Sequence, residues 1–328
     1  MGEVAAIVLA AGKSTRMKSE WPKVLHEICG RPMLSFVLNA CRLAGVDRLV
    51  VVVGHGKEKV KEAFCDEHDL AWVEQNEQLG TGHAVQCCEK ELNGFTGSLL
   101  VIAGDMPLVR REALVGLIEA REATNDSLSM ATTVLSDASG YGRIVRDAAG
   151  NIERIVEHRD CTEEQRKIHE VNPSYYCFDA EKAFSALREL KPAGPNGEFY
   201  LTGLVEVFRR KKESVSAPVK LPPEDAMGIN SRFDLSVVGR AMQDRIQQAL
   251  VEDGATIVDP DNTWVDADCT VGADTTIFPF TFIGAGAAIG SRCRIGPFAW
   301  VAPGVSVEDD AVVGPMNRAP VQTIGAGK

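Results

Sequence analysis

Gly12, Lys13, Ser14 and Thr15 spell the last four letters of a phosphate-gripping P-loop, and Arg16 adds a second cation to the same turn. A P-loop needs a further glycine five positions before its Gly-Lys pair, so that backbone N–H groups can wrap a phosphate chain. Ile7 stands there, within the apolar run from Ala5 to Ala10 that reads as a buried strand. The dinucleotide fingerprint fails as well, because Gly12 is alone where three spaced glycines are required. What remains is a strand that releases a basic, N–H-rich turn, and such a turn can hold an anion. The same letters also fit a surface turn that carries two cations.

Two more stretches are rich in chemistry-bearing letters. In EQNEQLGTGHA, Gln75 and Gln78 precede the turn Gly80-Thr81-Gly82. Amide side chains and the N–H and C=O groups of such a turn supply the donors and acceptors that reading a nucleobase edge needs. A polar loop whose glycines cap a helix is the plainer alternative. In VIAGDMPL, Asp105 follows an apolar strand and Pro107 stops it. A single carboxylate there suits magnesium, which takes hard oxygens and usually only one or two protein carboxylates besides substrate phosphates. Asp105 could equally cap a helix. His55 and His83 invite a general-base reading, but His83 belongs in the first turn of a helix after Gly82, and His55 in the loop after RLVVVV.

The elements that must position these residues alternate. AAIVLA, RLVVVVG, AWVEQ and SLLVIAGD are strand-like; helices are expected near Met33 to Ala44, Glu58 to Glu67, from about Gly82, and Arg111 to Glu122. Strand and helix repeated in this way give a mostly parallel, Rossmann-like α/β sheet with helices on both faces. Ligands bind such sheets outside the carboxyl ends of the strands, where the loops after AAIVLA, RLVVVV and SLLVIA lie. From 128 to 180 the letters look antiparallel, with SMATTVL, the GYGRIVRDAAGNIERIVEH hairpin and NPSYYCF, and read as an inserted or appended sheet section over one side of the pocket. Phe233 to Val251 is helical and looks like a connector.

After that the period changes. Val265, Val271, Ile277, Ile283, Ile289, Ile295, Val301, Val307 and Val313 recur every six residues, with Gly272, Gly284, Gly290, Gly296 and Gly314 following the aliphatic. This is the signature of hexapeptide, left-handed parallel β-helix repeats. About three hexads make one triangular coil, giving about three coils whose apolar rows stack. So short a prism has exposed ends and sides, and trimerisation through it is expected. The boundaries this implies are 1–232 for the α/β domain, 233–252 for the connecting helix, 253–315 for the β-helix and 316–328 for an irregular tail.

Composition narrows the function. At 328 residues, 45% hydrophobic and 25% charged, the chain has an ordinary globular make-up. A net charge of −11 argues against general nucleic-acid binding, which wants a basic face. No long apolar stretch suggests a membrane span, and no leader precedes the first strand. Nine scattered cysteines without CxxC spacing fit free thiols in a cytoplasmic protein rather than disulfides or zinc.

The strings LAAGKSTRM, PKVLHEICGRPML, EQLGTGHA, GDMPL, GYGRI, IVEHRDCTEEQRKIHEVN, GEFYLTGL and GINSR, in this order, resemble the N-acetylglucosamine-1-phosphate uridylyltransferase domain of the bifunctional GlmU family. The resemblance implies a GT-A-like nucleotidyltransferase fold and a set of roles. Leu9, Ala10, Ala11 and Gly12 would form the nucleotide loop, with Arg16 and Lys23 at the phosphates. Gln75, Gly80 and Thr81 would meet uracil. Asp105 and Asn230 would hold Mg²⁺. Gly142, Glu157, Asn172 and Thr202 of the YLTG string would meet the sugar and its N-acetyl group. The substrates implied are UTP and N-acetylglucosamine-1-phosphate, and the chemistry is in-line attack of a sugar-phosphate oxygen on the α-phosphorus, which needs positioning and electrostatics more than proton transfer.

Some letters depart from the family. Ser14 stands where a second glycine is usual, and Ala103 where a tyrosine often precedes the Gly-Asp pair. Val301 and Ala302 occupy positions where basic acetyltransferase residues would fall, so acetyl transfer is expected to be absent. Two other readings remain open at this level: the same fold acting on another sugar-1-phosphate or on dTTP, and a non-catalytic trimer that binds nucleotide sugars.

Overall fold

The computed structural model describes residues 2–13, 15–194 and 196–315, together with the backbone of 318–319. Ser14 and most of the segment 316–328 lie outside the described residues. The chain divides into two compact units, one made of residues up to His26 and Met33–Ser231, the other of Glu27–Pro32 and the residues from Arg232 onward.

The first unit is built on β1 (Val4–Ala10), whose residues are apolar throughout and almost all buried, as a central parallel strand requires. The strands β2 (Glu27–Ile28) and β3 (Arg31–Pro32) form a hairpin that belongs to the second unit. Then come α1 (Met33–Leu43), β4 (Arg48–Val53), α2 (Lys57–Ala63), β5 (Leu70–Glu74), α3 (Thr81–Gln86), β6 (Ser98–Ala103), α4 (Arg111–Thr124) and β7 (Leu128–Val134). After these follow β8 (Gly142–Arg146), β9 (Ile152–Val156), α5 (Glu163–Arg166), β10 (Glu170–Asn172), β11 (Tyr175–Asp179), α6 (Ala180–Leu187), α7 (Leu204–Arg210) and β12 (Val215–Lys220). They make one ten-stranded sheet in the order β5-β4-β1-β6-β11-β7-β10-β8-β9, with β12 beside β7.

The stretch 128–180 is antiparallel, as its letters suggest, and it extends the parallel strands as part of the same sheet. β11 pairs antiparallel with β6 and β7 pairs with β11, so the sheet runs on without a break. The reason is burial: Tyr176, Cys177 and Phe178 are covered on both faces, which makes β11 an interior strand. The result is a mixed sheet whose four strands β5, β4, β1 and β6 are parallel. Ile7, Val50, Val52, Leu99, Val101 and Phe178 share one core with residues of α3, α6 and α7. By strand alternation Val8, Val51 and Leu100 face the other way, toward the side that carries α1 and α4.

The second unit begins with α8 (Arg232–Glu252), followed by the short strands β13 (Thr256–Ile257), β14 (Thr263–Val265), β15 (Thr270–Val271), β16 (Thr276–Ile277), β17 (Thr281–Ile283) and β18 (Ala288–Ile289). It ends with β19 (Arg294–Ile295), β20 (Trp300–Val301), β21 (Ser306–Val307), β22 (Val312–Val313) and β23 (Arg318–Ala319). Each strand pairs in parallel with the one three strands on, and Val271 stands opposite Ile289, Ile277 opposite Ile295. All nine aliphatics of the six-residue register enter one core. The glycines behind them are there because coils touch: a Cβ on Gly290 would lie 2.6 Å from the backbone nitrogen of Asp309 on the next coil. The register also runs past Val313, since Ala319 pairs with Val301 one coil back. That corrects the expectation that the closing segment has none.

Within this unit α8 does more than connect. Gln243 is fully buried; its Oε1 accepts from Val265 N–H at 2.9 Å, and its Nε2 donates to the Val265 carbonyl. Gln247 Nε2 donates to the Thr263 carbonyl at 2.8 Å. Two amides thus satisfy main-chain groups at the open start of the coil. Among the described residues no helix is long and apolar enough to cross a membrane, and all nine cysteines are free thiols.

Candidate active site

β1, β4, β5 and β6 all end at the same edge, and a pocket of about 660 Å³ opens beyond β1 and β6. Leu9, Ala10, Ala11 and Gly12 line it at the end of β1. A Cβ on Gly12 would meet nothing within 4 Å, so the chain's own packing does not demand a glycine there. Its bare backbone is open to a close ligand approach.

Cations gather at the end of β6. Lys23, in the tight turn Lys23–Leu25, directs its ammonium to the Asp105 carboxylate and to Asn230 Oδ1, the latter at 3.1 Å. Arg16 Nη2 donates to the same Asn230 oxygen at 2.8 Å. The side chains of Lys23 and Asp105 are only 12% and 24% exposed, so their mutual field is weakly screened. The backbone sets the spacing, because Ile229 N–H donates to the Asp105 carbonyl at 3.0 Å and Gly104 N–H to the Leu9 carbonyl at 2.9 Å. Residues from three stretches far apart in the chain therefore meet within a few ångströms.

The oxygens of Asp105 and Asn230 already converge on one positive charge, and both are hard donors, so the set fits a magnesium ion. Among the described residues no cluster of three or more His, Cys, Asp or Glu could hold a metal. An ion here would draw its remaining ligands from water and phosphate oxygens.

At the end of β5, Gln75 is buried and its Nε2 donates to the Gly80 carbonyl and to His83 Nδ1, both at 3.0 Å. Both amide hydrogens are spent, which leaves Gln75 Oε1 as the atom that can accept from a ligand. Gly80 has φ of +109°, and a Cβ there would lie 2.6 Å from the Phe199 carbonyl oxygen. The turn is stitched to the YLTG stretch by Phe199 N–H to the Leu79 carbonyl at 2.7 Å and by Leu201 N–H to Thr81 Oγ1 at 3.0 Å. His83 is thus committed to Gln75, with Cys87 Sγ 3.7 Å from its Nε2. Neither His83 nor His55 lines the pocket.

On the far side, Glu157 Oε1 accepts from Thr202 Oγ1 at 3.0 Å, and burial raises the carboxyl above its usual range. Both line the pocket. Gly142 and Asn172 are paired across β8 and β10 and do not line it. Between Asn172 and the pocket stands Tyr176, whose hydroxyl accepts from Asn172 Nδ2 at 2.6 Å. Of the residues expected from sequence, Lys23, Gln75, Gly80, Thr81 and Asp105 also line the pocket, and Arg16 and Asn230 reach it through Lys23. Sequence reasoning missed Tyr176, Ser174, Arg159, Glu198 and Tyr200, all of which line it. For Tyr176 the signal was faint: a polar-tipped ring in an otherwise apolar strand.

Residues 6–197 match the MobA-like NTP transferase domain. The chain belongs to this family. Among curated relatives, it is 44% identical over 279 residues to the bifunctional protein GlmU of Geotalea daltonii, covering 85% of this chain and 61% of that one. It is 40% identical over 283 residues to the bifunctional protein GlmU of Caldanaerobacter subterraneus, covering 86% and 61%. The chain thus spans about three fifths of the length of these relatives, and the likeness read from its motifs is borne out. A UDP-glucose pyrophosphorylase solved with UDP-glucose shares the family's fold, with a TM-score of 0.60 at 19% identity over 74% of this chain and all of that one.

Proposed function

We propose that the chain transfers UMP from UTP to N-acetylglucosamine-1-phosphate, giving UDP-N-acetylglucosamine and pyrophosphate. The observation that carries this is the convergence of Arg16, Lys23, Asp105 and Asn230 at one end of a pocket whose other walls hold Gln75 and Glu157. A phosphate oxygen of the sugar attacks the α-phosphorus, the bond from that phosphorus to the bridging oxygen breaks, and pyrophosphate leaves with the electron pair. Arg16 and Lys23 neutralise the charge that gathers on the phosphates. Asp105 and Asn230 would hold a magnesium ion, which would supply further neutralisation of phosphate charge.

Gln75 Oε1 can accept from the N3–H that uracil and thymine share, and it opposes the lone pair that cytosine presents there. That supports a UTP or dTTP substrate over CTP. Glu157 and Thr202 offer a polar pair to the sugar. Pyrophosphate release from UTP, N-acetylglucosamine-1-phosphate and magnesium, compared with Asp105→Ala, is the test. Loss on the order of 100- to 1,000-fold in the variant is expected, and equal background release by both proteins would sink the proposal.

The same reading includes a homotrimer formed through the β-helix. Its support is an exposed aromatic pair, Phe280 and Phe298, whose rings stack with centroids 5.0 Å apart. Sedimentation of the wild type and of a Phe280→Asp, Phe298→Asp double variant tests it, and a monomeric wild type would remove it.

A further inference from the structure

The resemblance puts Asn172 at the sugar, yet Tyr176 is the side chain that faces the pocket. Both ends of the Asn172 amide are already taken. Its Nδ2 donates to Tyr176 Oη at 2.6 Å, and its Oδ1 accepts from Ser174 N–H at 3.1 Å. Turning the amide over would set N–H against N–H, so its orientation is fixed. The ring of Tyr176 is equally fixed, since it is 3% exposed and stacks on Phe178 with centroids 5.6 Å apart. Because Asn172 supplies a hydrogen to Oη, the phenol keeps its own proton to give. Burial holds that phenol well above its ordinary range, so it stays protonated at neutral pH. Its side chain lines the pocket, so an oxygen bound there is an acceptor for that proton. Ala103 and Ser174, both small, also line this part of the wall.

We infer that Tyr176 is a specificity-determining residue that donates to the carbonyl oxygen of the sugar's 2-acetamido group, with Asn172 as the positioning residue that aims it. This rests on the sugar-nucleotidyltransfer reading above. A 2-hydroxyl ends two bonds short of where an acetamido oxygen reaches, so the contact separates N-acetylglucosamine-1-phosphate from glucose-1-phosphate. Tyr176 also accounts for how a wall with alanine at position 103 can still present a phenol, which here comes from the adjacent strand.

The experiment measures kcat and KM for both sugar phosphates in wild type, Tyr176→Phe and Tyr175→Phe. Tyr175 is the buried neighbour whose hydroxyl donates to the Asp225 carbonyl at 2.9 Å, and it serves as the control for loss of a buried phenol. In Tyr176→Phe the KM for N-acetylglucosamine-1-phosphate rises about tenfold with kcat within about twofold, and preference over glucose-1-phosphate falls about tenfold. Tyr175→Phe leaves that preference unchanged. An unaltered preference in Tyr176→Phe overturns the inference while leaving the activity intact. A wild type that uses neither sugar phosphate overturns the underlying reading instead. Should Tyr176→Phe fail to fold, a crystal structure of the wild type with UDP-N-acetylglucosamine decides. A Tyr176 hydroxyl within hydrogen-bond reach of the acetamido oxygen supports the inference, and one turned away from it overturns it.

Discussion

The ammonium of Lys23 touches both the Asp105 carboxylate and, at 3.1 Å, the Asn230 side-chain oxygen. These are the two oxygens proposed to hold a divalent ion, so Lys23 and that ion compete until a triphosphate gives the lysine another partner. Lys23→Met is expected to bind Mn²⁺ in the absence of nucleotide about tenfold more tightly than wild type, while losing most of its activity. Spin resonance of free Mn²⁺ during titration measures the first effect. Unchanged or weaker binding in Lys23→Met would show that the lysine does not compete.

His83 holds one of the two hydrogens of the Gln75 amide, at 3.0 Å. His83→Phe frees that hydrogen and lets the amide turn its NH₂ toward the base. The preference for UTP over CTP, read as the ratio of kcat/KM values, is expected to fall about tenfold. A variant with the wild-type ratio would mean that the Gly80 contact alone fixes the amide.

Glu157 is half-buried, and desolvation raises its carboxyl above the ordinary value near 4.5. A raised folded-state value means the protonated form suits the fold, so the stabilising effect is complete below the unfolded value and is lost as pH rises through the folded one. Glu157→Gln keeps a partner for Thr202 without the charge. It is expected to melt about 2–4 °C above wild type at pH 8 and together with it at pH 4. Scanning calorimetry at the two pH values checks this, and a variant less stable at pH 8 contradicts it.

Gln243→Leu removes the partner of both main-chain groups of Val265 in a fully buried place. A loss of about 2–4 kcal/mol in the second unit is expected, from two stranded polar groups at about 1–3 kcal/mol each less the gain from an apolar side chain. Gln248→Ala, on the exposed side of α8, should stay within about 0.5 kcal/mol. Urea unfolding followed by fluorescence of Trp264 and Trp300 in the second unit measures both.

How much could be read beforehand depended on how each feature is encoded. The coil register was legible because one side-chain class at one period is all a β-helix core needs. β13 escaped it, since Thr256 pairs with Thr276, twenty residues on, where later coils repeat at eighteen. Two extra residues around the turn Pro260–Asn262 break the count. The parallel strands were legible from their apolar runs; that β11 joins β6 was not, because strand partners leave no mark in a single run. At the site, Gln75 and Asp105 carried local cues in their turns. Tyr176 gained its place only when β11 set it against Val101 and Asn172.

One main-chain hydrogen bond, Ile229 N–H to the Asp105 carbonyl, ties together the two residues proposed to hold an ion, 125 residues apart in the chain. Neither side chain takes part in it. Ion preference is therefore separable from folding: the carboxylate and the amide can trade places, or a softer donor can be installed, on an unchanged frame. An Asp105→Asn, Asn230→Asp exchange that folds normally yet shifts the preferred ion would make this site a place where metal choice is written in two letters alone.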